Sequence, residues 1–211
     1  MIPHPQFPYP LYLVISEKDC VGRDMWHVAE EAIRGGVDII QLREKEVSTA
    51  IFTESARRLK DITDRYNIPL IINDNLAVAM QVGAYGIHVG NSDTPPTVIR
   101  QEWLDAKCIG YSIEQIQQLS TTESSAADYL AISPVFSTPT KQDTIVEWGL
   151  SGIEQIAALT DKPLVAIGNM NLENVRQVIA AGAHAVAVVS AICGAADPRR
   201  SASELKNNII K

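Results

Sequence analysis

The sequence has few cysteines and no long hydrophobic run. Its three cysteines, Cys20, Cys108 and Cys193, are widely spaced, and none belongs to a Cys-x-x-Cys pair. An odd number without close spacing argues against a disulfide framework and against a zinc site. No segment approaches the roughly 20 apolar residues that cross a bilayer, and the N-terminus lacks the basic region of a signal peptide. We therefore expect a cytoplasmic protein with no membrane partner.

Positive charge is also scarce. The chain has 18 lysines and arginines against 25 aspartates and glutamates, which gives a formal net charge of −7. Because nucleic-acid-binding proteins usually carry a basic surface, we expect no nucleic-acid partner. Any cations that take part in function must therefore be concentrated at one site. The length of 211 residues and the hydrophobic content of 46% suit one large domain with a sizeable core.

Short apolar runs alternate with helical patterns along the chain. Three junctions, 35–40, 83–87 and 182–186, repeat the order helix, glycine, strand. Repeated βα units with apolar strands indicate a parallel sheet covered on both faces, and eight such units close into a (β/α)8 TIM barrel. The rival is an open doubly wound sheet, but no Gly-x-Gly-x-x-Gly motif follows the first strand. The eight predicted strands are 11–15, 38–42, 70–73, 86–89, 107–110, 129–132, 164–167 and 185–189.

Seven helical stretches lie between these strands. The clearest is 51–66, in which Ile51, Leu59 and Ile62 recur at helical spacing. Ser151 resembles the first residue of a capping box ahead of the predicted helix 153–159. The proline-rich residues 1–10 predict an extended arm over the bottom of the barrel, and residues 11–211 form the single α/β barrel domain. The other predicted helices are 25–33, 77–82, 95–104, 113–119 and 172–180.

The end of the second predicted strand carries two cations on alternate residues. Gln41, Arg43 and Lys45 occupy positions i, i+2 and i+4, so their side chains project to the same side of the strand. Two cations that converge repel one another and are costly to desolvate. A multiply charged anion between them removes that penalty. The pattern therefore indicates a phosphate or diphosphate site at the C-terminal ends of the strands, where barrel enzymes have their active sites.

Two carboxylates follow neighbouring strands of the predicted barrel. Asp74 comes directly after the third strand and beside Asn73, and Asp93 follows the fourth strand. Two carboxylates beside a diphosphate are a common arrangement for Mg²⁺, which prefers oxygen ligands and bridges phosphate oxygens. The alternative is that each aspartate caps the helix after it. The neighbouring cations favour a magnesium site.

Further polar residues follow the later strands. Gly168, Asn169 and Ser190 come after the seventh and eighth strands, where backbone N–H groups of barrel enzymes often bind a phosphate, although ordinary tight turns are the alternative. The long loop 133–148 is either a lid or a solvated connection. His88 is either an acid–base group or a hydrogen-bonded histidine near the rim.

A diphosphate site and a separate phosphate site predict two phosphorylated substrates. The simplest reaction is displacement of diphosphate from one substrate by the other. Such a reaction needs no protein nucleophile, because the protein has only to neutralise the leaving group and align the partner.

Eight motifs follow one another in a specific order and spacing. They are Gln41-Leu42-Arg43-Glu44-Lys45, Asn73-Asp74, Gly86-Ile87-His88-Val89-Gly90 with Asp93, Gly110-Tyr111-Ser112, Asp128-Tyr129, Pro134-Val135-Phe136, Thr138-Pro139-Thr140-Lys141 and Val188-Val189-Ser190-Ala191-Ile192. Together they resemble the thiamine-phosphate synthase family over nearly the whole chain after the N-terminal arm. The resemblance implies a (β/α)8 transferase that joins hydroxymethylpyrimidine diphosphate to hydroxyethylthiazole phosphate, giving thiamine phosphate and diphosphate by a dissociative mechanism. The family often forms dimers, so a homodimer is among the expected assemblies.

The resemblance also implies roles for individual residues. Asp74 and Asp93 are expected to bind Mg²⁺. The residues expected to act in catalysis are Arg43, Lys45, Ser112 and Lys141. The substrate-binding residues are these four together with Gln41, Leu42, Glu44, Asn73, Thr138, Pro139, Thr140, Gly168, Asn169, Val189 and Ser190.

The sequence departs from the family pattern at a few positions, and none of the changes removes a charged participant. Asn169 replaces a common second glycine, Asn91-Ser92 replaces Gln-Glu, and Ser133 replaces a glycine. The nearest alternative is a thiazole tautomerase of the same barrel family, which lacks the carboxylate pair and has a histidine where this chain has Pro134. A non-catalytic phosphate-binding barrel and a sugar-phosphate isomerase are more distant alternatives.

Overall fold

A computed structural model of the chain describes residues 4–137 and 147–210. Eight parallel strands form a closed barrel in sequential order, and β8 pairs with β1 to complete it. The predicted TIM barrel is therefore confirmed, and the open sheet is excluded. The strands are β1 (Leu11–Ile15), β2 (Ile39–Leu42), β3 (Leu70–Asn73), β4 (Gly86–Val89), β5 (Cys108–Ile113), β6 (Tyr129–Ile132), β7 (Leu164–Ile167) and β8 (Ala185–Val188).

Helices cover the outside of the barrel. Among the described residues, none of them is both long enough and apolar enough to cross a membrane. Short 3-10 helices occupy Lys18–Cys20 and Ile116–Ser120. The α-helices of the described part are α1 (Met25–Arg34), α2 (Thr49–Arg65), α3 (Leu76–Val82), α4 (Pro96–Glu102), α5 (Thr122–Ala126), α6 (Gly149–Ala157), α7 (Val175–Ala180), α8 (Ser190–Cys193) and α9 (Pro198–Ile210).

The structure corrects one predicted helix and one predicted helix start in particular. The helix expected at 113–119 is instead the end of β5 and a 3-10 helix, because Ile113 continues the strand pairing with Ile132. Ser151 is not a cap but lies inside α6, which begins two residues earlier, at Gly149. The Gly149 N–H donates to the carbonyl oxygen of Val135 (2.9 Å), and this bond fixes the earlier start.

The barrel has two apolar layers because successive strand residues point to opposite sides. One set packs against the helices, and the other fills the barrel interior. Ala131, Ala185 and Ala187 are small, so the interior has room for the two largest side chains, Tyr12 and Tyr129. Both tyrosines are almost completely buried.

The described part of the N-terminal arm closes the bottom of this interior. Phe7 is 1% exposed, and its ring lies 4.6 Å from the ring of Tyr129 and 6.3 Å from that of Tyr12. The Phe7 N–H donates to the carbonyl oxygen of His4 in a tight turn that directs the ring inward. One end of the barrel is therefore sealed, and the opposite end remains open to ligands.

Candidate active site

A cavity of about 440 Å³ lies at the C-terminal ends of the strands. Its lining residues lie at or just after the ends of successive strands, because the carboxyl ends of parallel strands meet at one rim. Of the residues expected to have functional roles, the cavity contains Gln41, Arg43, Lys45, Asn73, Asp74, Asp93, Ser112, Gly168, Asn169, Val189 and Ser190.

Leu42 and Glu44 do not line this cavity, so their expected substrate contacts through side chains are not supported. Both alternate with Gln41, Arg43 and Lys45, and strand geometry turns them to the other side. Leu42 is 0% exposed in the layer beneath the helices, and the Glu44 carboxylate accepts a hydrogen bond from the Glu17 N–H (2.8 Å). The expected contacts of Thr138, Pro139, Thr140 and Lys141 lie outside the described residues.

The cations enter the cavity at the end of β2. The Arg43 N–H donates to the carbonyl oxygen of Ile15 (2.9 Å), which continues the pairing of β1 with β2 for one more residue. Lys45 reaches across to the neighbouring strand end, where its Nζ lies 3.6 Å from Asp74 Oδ2. Both cations therefore face the rim at which the carboxylates are gathered.

Asp74 and Asp93 form a close pair of carboxylates. The Asp74 N–H donates to the carbonyl oxygen of His88 (2.8 Å), and Asp93 Oδ2 accepts a hydrogen bond from the Gly90 N–H (2.8 Å). Burial, the charge of Asp93 and a hydrogen bond between the two side chains, in that order of importance, together raise the pKa of Asp74 to about 6. Lys45 and Arg43 oppose this shift only in part.

Neither aspartate is a helix cap. Asn75 caps α3 by accepting a hydrogen bond from the Val78 N–H (3.0 Å), and the residue at the start of α4 is Pro95. Asp74 also has a φ of 61°, a left-handed conformation that is uncommon outside glycine and often marks a functional site. The helix-cap alternative from the sequence is therefore wrong for both residues.

The donor set at this pair fits Mg²⁺. In the described part of the chain, no third His, Cys, Asp or Glu joins the pair to form a larger ligand cluster. Mg²⁺ commonly takes one or two carboxylates from the protein, and phosphate oxygens and water complete its shell. The two carboxylates could thus hold a magnesium ion whose other ligands come from a diphosphate.

The turns after β7 and β8 form the other side of the cavity. Gly168 has a φ of 116°, and a Cβ at this position would lie 2.7 Å from the Cβ of Pro134, so only glycine fits. Asn169 has a φ of 53°, a left-handed conformation that asparagine adopts more readily than most residues. The side-chain amides of Asn171 and Asn174 donate to its carbonyl oxygen (3.3 and 2.8 Å) and hold the turn.

Several cavity residues were not singled out from the sequence. Asp19 and Glu114 add acidic groups to the rim, and Val14, Ile167 and Ala187 form an apolar wall. Their position at or just after the ends of β1, β5, β7 and β8 was the available signal. It was not sufficient, because a charge after a strand more often faces solvent.

A closed barrel with cations, paired carboxylates and glycine-containing turns at one rim defines a barrel enzyme that acts on phosphorylated small molecules. The sequence profile described as thiamine monophosphate synthase matches residues 11–192, and the chain belongs to this family.

Individual relatives agree with this assignment. A thiamine-phosphate synthase of Albidiferax ferrireducens is 43% identical over 199 residues, which cover 94% of this chain and 91% of the relative. One from Vibrio campbellii is 41% identical, with 93% and 96% covered. A solved structure, thiamine phosphate pyrophosphorylase from Pyrococcus furiosus, superposes with a TM-score of 0.87 at 31% identity and covers 95% of each chain.

Proposed function

We propose that the protein is a thiamine-phosphate synthase. It joins hydroxymethylpyrimidine diphosphate to hydroxyethylthiazole phosphate and releases diphosphate. The observation that carries this proposal is the meeting of Arg43, Lys45, Asp74 and Asp93 in one cavity. Family membership supports the same reaction.

The cavity residues suit a reaction in which the leaving group departs first. The bond between the pyrimidine methylene carbon and the diphosphate oxygen breaks, and both bonding electrons leave with the diphosphate. Arg43 and Lys45 stabilise the charge that develops on the departing oxygens. Asp74 and Asp93 would hold a magnesium ion, which would supply further neutralisation of the charge on the leaving group.

The second substrate is held on the opposite side of the cavity. The N–H groups of Gly168, Asn169 and Ser190 provide uncharged donors for its phosphate. This separation aligns the thiazole nitrogen with the methylene cation, which the nitrogen captures to form the new C–N bond. The apolar wall of Val14, Ile167 and Ala187 limits the access of water, which would otherwise trap the cation.

The test is a two-substrate assay with the purified protein and Mg²⁺. We expect diphosphate and thiamine phosphate to appear in a ratio of one to one. Asp74→Ala and Arg43→Ala should each abolish turnover, whereas Asp61→Ala, an exposed aspartate of α2, should not. Product formation at the wild-type rate in either cavity variant would remove that residue from the mechanism.

The same assay separates the alternatives. A thiazole tautomerase would convert the thiazole substrate without the pyrimidine, and a non-catalytic barrel would bind both substrates without turnover. The presence of Asp74, Asp93 and Pro134 favours the synthase over the tautomerase. The roles of Thr138, Pro139, Thr140 and Lys141, the cytoplasmic location, the homodimer and the lack of nucleic-acid and membrane partners stay predictions.

A further inference from the structure

A continuous chain of hydrogen bonds crosses the barrel interior beneath the cavity. Gln41 Nε2 lies 2.8 Å from Tyr12 Oη, and Tyr12 Oη lies 3.0 Å from Tyr129 Oη. Tyr129 Oη is 2.9 Å from His88 Nδ1, and His88 Nε2 is 2.9 Å from Ser112 Oγ. We call these five residues the interior chain. Its two ends, Gln41 and Ser112, both line the cavity.

The interior chain is built into the barrel. Gly110 leaves the space in which Tyr129 and His88 meet, since a Cβ there would lie 2.2 Å from Tyr129 Oη and 2.4 Å from His88 Nδ1. Phe7 covers both tyrosines from below. Burial raises the pKa of both phenols well above the usual value, so each hydroxyl keeps its single hydrogen at neutral pH.

The direction of these bonds follows from counting hydrogens. Gln41 donates an amide hydrogen to the Tyr12 hydroxyl oxygen. The Tyr12 hydroxyl therefore donates its own hydrogen to Tyr129, because the hydrogen would otherwise be buried without an acceptor. Tyr129 then donates to His88 Nδ1. With Nδ1 as an acceptor, neutral His88 carries its hydrogen on Nε2 and donates it to Ser112 Oγ.

We propose that the interior chain positions both of its cavity ends at once, so that Gln41 presents its carbonyl oxygen and Ser112 its hydroxyl hydrogen to the ligand. Tyr12 and Tyr129 do not line the cavity and act only through the other members of the interior chain. His88 borders the cavity and holds Ser112, so all three are positioning residues. The acceptor and donor suit a nitrogen heterocycle with an amino group. If the proposed function holds, this ligand is the pyrimidine diphosphate, and the identity of the ligand rests on that function.

The first test needs no turnover. In protein labelled with ¹⁵N-histidine, the imidazole resonances report which ring nitrogen of His88 carries the hydrogen, and His88→Gln assigns them among the four histidines. We expect the Nε2–H tautomer in the ligand-free protein. The Nδ1–H tautomer would mean that the chain runs in the opposite direction and would overturn the proposal.

The second test separates positioning from a merely structural role. Tyr12→Phe removes one hydroxyl and leaves Gln41 free to rotate. We expect the KM for the pyrimidine diphosphate to rise roughly tenfold, because one net hydrogen bond is lost, while the KM for the thiazole phosphate changes less than about twofold. Tyr85→Phe is the control, because the Tyr85 hydroxyl forms a hydrogen bond with Tyr9 and does not belong to the interior chain. This variant should leave both KM values unchanged.

Tyr129→Phe should show the same selective rise in the KM for the pyrimidine diphosphate. The test can therefore still be made if one of the two variants folds poorly. Equal changes for both substrates, or no change in either variant, would overturn the proposal. If the wild-type protein forms no thiamine phosphate, the proposed function fails. The tautomer of His88 then still decides whether the interior chain is directed as described.

Discussion

At the scale of single residues, Asp74 lowers the stability of the ligand-free protein at a position that the proposed function requires. Its left-handed backbone costs about 1 kcal/mol or more. Its folded-state pKa of about 6 lies above the ordinary value of 3.8 because of burial and the nearby Asp93. An acid whose pKa rises on folding destabilises the protein as pH increases through that window, and the full penalty remains above it.

Replacing Asp74 with asparagine should therefore stabilise the protein in the absence of Mg²⁺. We expect Asp74→Asn to raise the free energy of unfolding by about 1–2 kcal/mol at pH 7.5. The gain should shrink as the pH falls from 6 toward 3.8, because the native carboxyl then becomes protonated. Urea denaturation at several pH values measures this change in the free energy of unfolding, and Asp61→Asn is the surface control. A loss of stability at pH 7.5 would contradict the account.

Lys45 offers a second test at this scale. Lys45→Met keeps the length of the side chain but removes the cation beside Asp74, so we expect the kcat for diphosphate release to fall on the order of 100-fold. Lys18→Met is the matched control, because the pair of Lys18 with Glu46 is exposed and contributes little. Steady-state rates at saturating substrate decide the outcome. Equal rates for Lys45→Met and the wild type would remove Lys45 from the mechanism.

The sequence predicts these cavity residues well where chemistry and alternation agree. Gln41, Arg43 and Lys45 share one face of a strand, and all three line the cavity. Leu42 and Glu44 were included only because they belong to the same motif, and their side chains point away. The interior chain was not predictable, since contacts between Tyr12 and Tyr129 depend on the closure of the barrel.

At the scale of elements, the strands were easier to predict than the shorter helices. Buried strands appear in the sequence as short, continuous apolar segments. The helix α8 has four residues and is too short to show a helical period. The helix α9 is absent from the sequence-based prediction, although its sequence carries signals of a helix. Asp197 accepts a hydrogen bond from the Arg200 N–H (2.9 Å), Pro198 occupies the first turn, and Ala202, Leu205 and Ile209 are buried on one face.

The N-terminal arm provides a prediction about an element. Phe7→Ala opens a cavity beneath two buried tyrosines, so we expect the free energy of unfolding to fall by about 3–5 kcal/mol. Leu104→Ala should change it by less than about 0.5 kcal/mol, because Leu104 is 87% exposed. Denaturant unfolding compares the two variants. Equal stabilities would show that the arm does not support the barrel.

At the scale of the whole molecule, a chain of net charge −7 concentrates functional cations at one rim. Ligands that bind only the folded protein stabilise it by an amount that grows with the logarithm of their concentration relative to the dissociation constant. We expect Mg²⁺ and diphosphate together, at about 100 times their dissociation constant, to stabilise the fold by about 2.7 kcal/mol and raise Tm by roughly 5–10 °C. Thermal scans with each ligand alone and with both measure this. An unchanged Tm with both ligands would contradict the shared site.

The most direct test of the central claim is to locate the metal. Mn²⁺ replaces Mg²⁺ at oxygen sites and is visible by anomalous scattering, so crystals grown with Mn²⁺ and diphosphate should show one strong peak between the carboxylates of Asp74 and Asp93. Diphosphate oxygens should complete its shell, within reach of Arg43 and Lys45. A metal and diphosphate bound away from these four side chains would contradict the account.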